Sequence, residues 1–228
     1  MNNEKHIIIS LGGSLIVPDE IDVGFLKEFT SLIKDYAGRG FRFVIITGGG
    51  KICRKYQNAL GELGNKDGND LDWLGIYSTH LNAQFIRLAL GGLAYDQIIT
   101  DRSLMVDTDK PVIVGAGEKP GASTDTASVS YAEKLGAKKL INLSNIDYAY
   151  DKDPNKFPDA VKIEQSSWAD FRSILPTEWN PGLSSPFDPI ASQKAEALGL
   201  EVVIMNGKNI DNLKKYLDGG EFVGTVIR

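Results

Sequence analysis

An α/β fold, a three-layer α/β/α sandwich with a mainly parallel central sheet, is predicted by three observations in this 228-residue sequence. Short apolar runs rich in β-branched residues alternate with segments of helical period, the pattern of parallel strands joined by crossover helices. Three of the runs empty into glycine turns: Gly12-Gly13-Ser14, Gly48-Gly49-Gly50, and Gly115-Ala116-Gly117 with Gly121. Apolar residues at 42% and charged residues at 24% are ordinary globular usage, and one domain over 1–228 is expected.

The first strand is Ile7-Ile8-Ile9-Ser10-Leu11, closed by Gly12-Gly13. A helix follows Pro18: Asp22 caps it, Phe25, Leu26, Phe29, Leu32, Ile33 and Tyr36 fall at helical spacing, and Gly38 or Gly40 ends it. The plan repeats with a strand from Phe41 to Ile46, the turn Thr47-Gly48-Gly49-Gly50, and a helix through Ile52, Tyr56, Ala59, Leu60 and Leu63. After a polar stretch, a longer helix sets Leu74, Leu81, Phe85 and Leu88 on one side and stops at Gly91-Gly92. Further strands are expected at Gln97–Thr100, Pro111–Val114, Lys139–Leu143, Glu201–Met205 and Phe222–Ile227. Helices are expected at Thr126–Leu135, Pro189–Leu198 and Ile210–Leu217. From Asp147 the sequence turns Tyr-, Asp- and Pro-rich, through Tyr150, Asp153, Pro154 and Pro158 and later Pro176, Pro181 and Pro186; this reads as long functional loops.

Several function classes are excluded by composition. With 25 basic and 30 acidic residues the formal charge is −5, which argues against general nucleic-acid binding through phosphate neutralisation. One cysteine, Cys53, permits no intrachain disulfide, and with His6 and His80 it makes no zinc set, so no protein-held metal is expected. No run approaches the ~18 apolar residues of a membrane span, and the first residues do not form a signal segment; the expected address is the cytoplasm, with no membrane partner.

In open α/β sheets, ligands sit beyond the carboxyl ends of the strands. Glycine there lets backbone N–H groups approach a ligand, and the helix that follows adds a positive dipole end, so phosphate is the natural guest. The chain has neither the P-loop nor the dinucleotide fingerprint. Several separate turns therefore hold the phosphates, as two facing sets, donor and acceptor, would require. Lys51 and Arg54, one turn apart, either supply positive charge to the moving group or form a solvated helix start. Asp125 either positions lysines or Mg²⁺, or caps the helix it precedes.

These segments resemble the amino-acid-kinase superfamily, and within it the archaeal-type uridylate (UMP) kinases. The resembling residues are Leu11-Gly12-Gly13-Ser14-Leu15-Ile16-Val17-Pro18, Thr47-Gly48-Gly49-Gly50-Lys51 with Arg54-Lys55-Tyr56, and Asp72-Trp73-Leu74-Gly75-Ile76 with Leu81-Asn82-Ala83. They continue through Pro120-Gly121, Thr124-Asp125, Asn145-Ile146-Asp147, Tyr150-Asp151-Lys152-Asp153-Pro154 and Asp188-Pro189-Ile190-Ala191, in family order over nearly the whole chain. The resemblance implies phosphorylation of UMP to UDP by ATP with Mg²⁺, in a homo-oligomer, usually a hexamer. It assigns Gly13, Ser14, Gly50 and Arg54 to the ATP phosphates, and Ser144, Tyr150 and Asp153 to the adenine and ribose side. Gly49 would meet the UMP phosphate and Asp72 its sugar. The loop Glu118, Lys119, Pro120, Gly121, Ala122, Ser123 and Thr124 would enclose the rest of that nucleotide.

Lys51, Arg54 and Asp125 are the expected catalytic residues. Many superfamily members end the first strand with a lysine; this chain has Ser10 there, and Lys51 is the expected substitute. Tyr148 stands where glycine is usual, either stacking on the base or narrowing its pocket. His80 replaces a frequent arginine and is expected as a partly buried helix residue, and Gln193 replaces a lysine. An isopentenyl-phosphate-kinase-like enzyme and a non-catalytic nucleotide sensor are the alternative readings.

Overall fold

The computed structural model describes residues 6–101, 103, 106–154, 156–176 and 185–228; Pro181 lies outside them. The elements in chain order are β1 His6–Leu11, α1 Gly13–Ile16, α2 Val23–Gly38, β2 Arg42–Thr47, α3 Gly50–Glu62, α4 Gly68–Leu90, β3 Val112–Gly115, α5 Thr124–Leu135 and β4 Lys139–Ser144. They continue with β5 Ala149–Tyr150, β6 Lys162–Ile163, β7 Gln165–Ser166, α6 Trp168–Ser173, α7 Pro189–Ala197, β8 Glu201–Asn206, α8 Ile210–Leu217 and β9 Thr225–Ile227.

The main sheet has the order β3-β2-β1-β4-β8-β9-β7. Every pair is parallel except β8–β9. The carboxyl ends of β3, β2, β1, β4 and β8 thus open on one edge, where the candidate site residues gather. Alternation along β1 sends Ile7, Ile9 and Leu11 into a core shared with α2, α4 and α8, and Ile8 into a second core shared with α5, α6 and α7. Two cores on opposite faces of one sheet make the predicted three layers. By the same alternation, Ser10 on β1 and Asn142 on β4 face the α5 side.

The expected strand Gln97–Thr100 does not form. That segment touches the β3 edge only through isolated bridges, Ala94 to Val112 and Ile99 to Gly115. Between them the chain bends at Asp96-Gln97, which interrupts the pairing. The closing strand is shorter than expected because Asn212 takes over the backbone of Val223, donating to its carbonyl (2.7 Å) and accepting from its N–H (2.8 Å). The supposed long loops after Asp147 contain the β5–β6 hairpin, β7 and α6. Leu81, Phe85 and Leu88 are exposed, and the core-facing residues of α4 are Ile76, Ala83, Ile86 and Leu90.

Candidate active site

The first two glycine turns are built against one another. A Cβ on Gly13 would lie 2.0 Å from Gly50 N and 2.5 Å from Gly48 C, and one on Gly50 would lie 2.4 Å from Gly13 O. Gly50 also needs its positive φ of 70°, which other residues rarely adopt. Gly48 N–H donates to Leu11 O (2.9 Å) and Lys51 N–H to Val17 O (3.0 Å), locking the second turn to the first. Gly12 N–H donates to Leu143 O (2.9 Å), tying both to β4. Gly13 and Ser14 open α1 and Gly50 opens α3, so their N–H groups have no acceptor within those helices.

Helix α4 fastens the remaining turns. Asn82 Nδ2 donates to the carbonyls of Gly48 (2.8 Å) and Gly49 (3.2 Å), and Thr47 Oγ1 donates to Thr79 O (3.0 Å). Gly117 N–H donates to Thr79 Oγ1 (2.8 Å), and its carbonyl meets His80 Nε2 at 2.7 Å. His80 is therefore the partly buried helix residue expected, with a defined task at the third turn. From the same helix, Asp72 Oδ2 accepts the N–H of Gly121 at 2.8 Å. That bond joins Asp72 to the loop from Glu118 to Thr124.

The cap of α5 is Ser123, whose Oγ accepts from Thr126 N–H at 3.1 Å, so Asp125 in the first turn is free of that duty. Asp125 Oδ1 accepts from Ser10 Oγ (2.9 Å) and Asn142 Nδ2 (3.3 Å), and Oδ2 accepts from Asp188 N–H (3.2 Å). Asp188 caps α7 by accepting from Ala191 N–H at 2.7 Å, while its Oδ2 is buried without a partner. Asp125 keeps partial access to solvent, yet protein surrounds its carboxyl group closely. That desolvation, against the opposing Ser10 bond and with the Asp188 charge added, pushes its pKa up to about 7.

The expected cations stand apart from this carboxyl. Lys51 and Lys55 both place Nζ 3.2 Å from Asp19 Oδ1, holding that carboxyl below its usual range, and Arg54 is exposed on α3 without an ion pair among the described residues. Ser144, Tyr150 and Asp153 come together as walls of a cleft of about 340 Å³ that also includes Asn145, Ile146 and Pro186. Tyr148 is not among its lining residues; Lys162 Nζ lies 4.8 Å from the centre of its ring. Gln193 borders a neighbouring hollow with Arg172 and Pro176. Asn142, which bonds Asp125, is the residue that motif reading overlooked; the available signal was a polar residue inside a buried strand.

Among the described residues no three His, Cys, Asp or Glu side chains group as a metal site, and no helix is long and apolar enough to cross a membrane. The chain is 35% identical over 224 residues to the uridylate kinase of Methanobrevibacter smithii, covering 97% of this chain and 98% of that protein. It is 33% identical over 226 residues to the uridylate kinase of Thermoplasma acidophilum, covering 98% and 96%. The crystal structure of uridylate kinase from Archaeoglobus fulgidus superposes with a TM-score of 0.81 at 27% identity, over 97% of this chain and 99% of that one. The UMP kinase of Bacillus anthracis, at 18% identity and a TM-score of 0.77 over 98% and 96% of the two chains, has the same fold. The model of the amino acid kinase family matches residues 5–206, and the chain belongs to that family.

Proposed function

We propose that this chain transfers the γ-phosphoryl group of ATP to UMP. The observation that supports the reading is the Asp72–Gly121 bond, which ties the loop after β3 to α4, the two segments the resemblance assigns to the acceptor. The uridylate kinases similar to it over almost their full length support the same reading. ATP arrives as its Mg²⁺ complex, so the ion enters with the substrate. An acceptor phosphate is already ionised near neutral pH, and no general base is needed. The bond from phosphorus to the UMP phosphate oxygen forms as the bond to the β-phosphate breaks, and ADP leaves. Catalysis is positioning plus charge stabilisation by Lys51, Arg54 and the N–H groups of Gly13, Ser14, Gly49 and Gly50, with Asp125 orienting the site.

The enzyme works in the cytoplasm as a homo-oligomer, a hexamer by family resemblance. Trp73, Tyr77, Leu81, Phe85 and Leu88 form an exposed stripe on α4, the kind of surface a second copy covers. A coupled ADP-release assay with MgATP and a panel of UMP, CMP and isopentenyl phosphate tests the activity. UMP is expected to be turned over best. Preference for isopentenyl phosphate, or nucleotide binding without turnover, refutes the reading.

A further inference from the structure

Ser10 and Asn142 are register partners on the adjacent parallel strands β1 and β4, on the face turned toward α5. Ser10 is 3% exposed and Asn142 6% exposed. Both donate to one oxygen of Asp125, at 2.9 Å and 3.3 Å, and the Asp188 N–H reaches the other at 3.2 Å. All three donors are neutral. The charged group facing Asp125 is the Asp188 carboxylate from α7, and among the described residues no basic side chain pairs with Asp125. Hydrogen bonds thus stand where a counter-charge is expected.

We infer that Ser10 and Asn142 are positioning residues for the proposed transfer: their paired donors aim Asp125 at the bound nucleotides and keep its carboxyl ionised beside them. The inference rests on the kinase reading above. A donor that bonds the ionised form stabilises it specifically, whereas burial and the neighbouring Asp188 oppose ionisation. The balance leaves Asp125 titrating at about 7, with the Ser10 bond the largest opposing influence. Small changes in the donors therefore alter the ionised fraction at neutral pH. Loss of one charge-assisted hydrogen bond is expected to raise the titration point by about one pH unit. At pH 7 the ionised fraction then falls from about half to about one-tenth, roughly fivefold.

The test is carbon-13 NMR of the full chain, ligand-free, with labelled aspartate carboxyls and Asp125 assigned by its loss in Asp125→Asn. Ser10→Ala and Asn142→Leu are expected to titrate higher, and Ser10→Thr, which keeps the hydroxyl, near the parent. With UMP as acceptor, Ser10→Ala is expected to lose kcat about fivefold at pH 7 and recover near pH 9, with KM for UMP unchanged. A purely structural role predicts no recovery at high pH. An unshifted Asp125 carboxyl in Ser10→Ala overturns the inference even if the enzyme is active. A shifted carboxyl in a chain that does not phosphorylate UMP overturns the kinase reading instead. Should Asn142→Leu fail to fold, Ser10→Ala, which removes one oxygen, still decides.

Discussion

Replacing Gly13 with alanine brings a methyl group into the place where two turns meet. The new Cβ would sit 2.0 Å from Gly50 N, 2.5 Å from Gly48 C and 2.6 Å from Gly48 O, where ordinary contact begins near 3.4 Å. The obstacles are backbone atoms, so no side-chain rotation relieves them. The second turn must retreat by more than an ångström against the bonds from Gly48 N–H to Leu11 O and from Lys51 N–H to Val17 O. Overpacking of this kind costs roughly 1–3 kcal/mol and a weakened hydrogen bond about 1 more. Gly13→Ala is thus expected to lose roughly 2–4 kcal/mol, about 1 M in urea midpoint for an m-value near 3 kcal/mol/M. Gly38→Ala is the control: a Cβ there meets nothing within 4 Å at the end of α2, and a gain of about 0.5–1 kcal/mol is expected. Urea unfolding by fluorescence measures both. A Gly13→Ala midpoint equal to the parent's would refute the account of these turns.

The folded pKa of Asp125, about 7, lies above its ordinary 3.8, so the folded chain binds more protons between those values and its stability declines as pH rises through that window. Asp125→Asn is expected to flatten this slope in urea midpoints and to cut turnover by orders of magnitude; a slope parallel to the parent's, or an unchanged rate, counts against the assignment. Lys51 and Lys55 share Asp19, so Lys51→Ala losing about tenfold or more in kcat while Lys55→Ala stays near the parent would separate catalysis from the surface ion pair. Leu81, 64% exposed in the middle of the α4 stripe, is expected on substitution by glutamate to dissociate the oligomer in sedimentation velocity, and unchanged mass would clear the stripe of that role.

Much of the architecture was legible because buried parallel strands read as β-branched runs, as in Ile7–Ile9 and Val202–Ile204. Helix α2 announced itself through Asp22, which does accept from Phe25 N–H at 3.0 Å. Elements of two to four residues, such as α1 or β5, are too short to show a period. Helical spacing located α4 but not which of its faces turns inward. At the site, Ser10 read only as a missing lysine, since its partner Asp125 lies 115 residues further along the chain. The glycines of the first two turns read as phosphate cradles, whereas Gly13, Gly48 and Gly50 are also required by each other.

That mutual requirement bears on how such a protein can change over time. A side chain at Gly13 requires the turn after β2 to move, so substitutions at the two turns are expected to be coupled, and a single step at either carries a stability cost. The loop from Glu118 to Thr124 is joined to α4 by the hydrogen bond from Gly121 N–H to Asp72. On the proposed assignment of that loop to the acceptor, a change of acceptor would be met there with the paired glycine turns left in place.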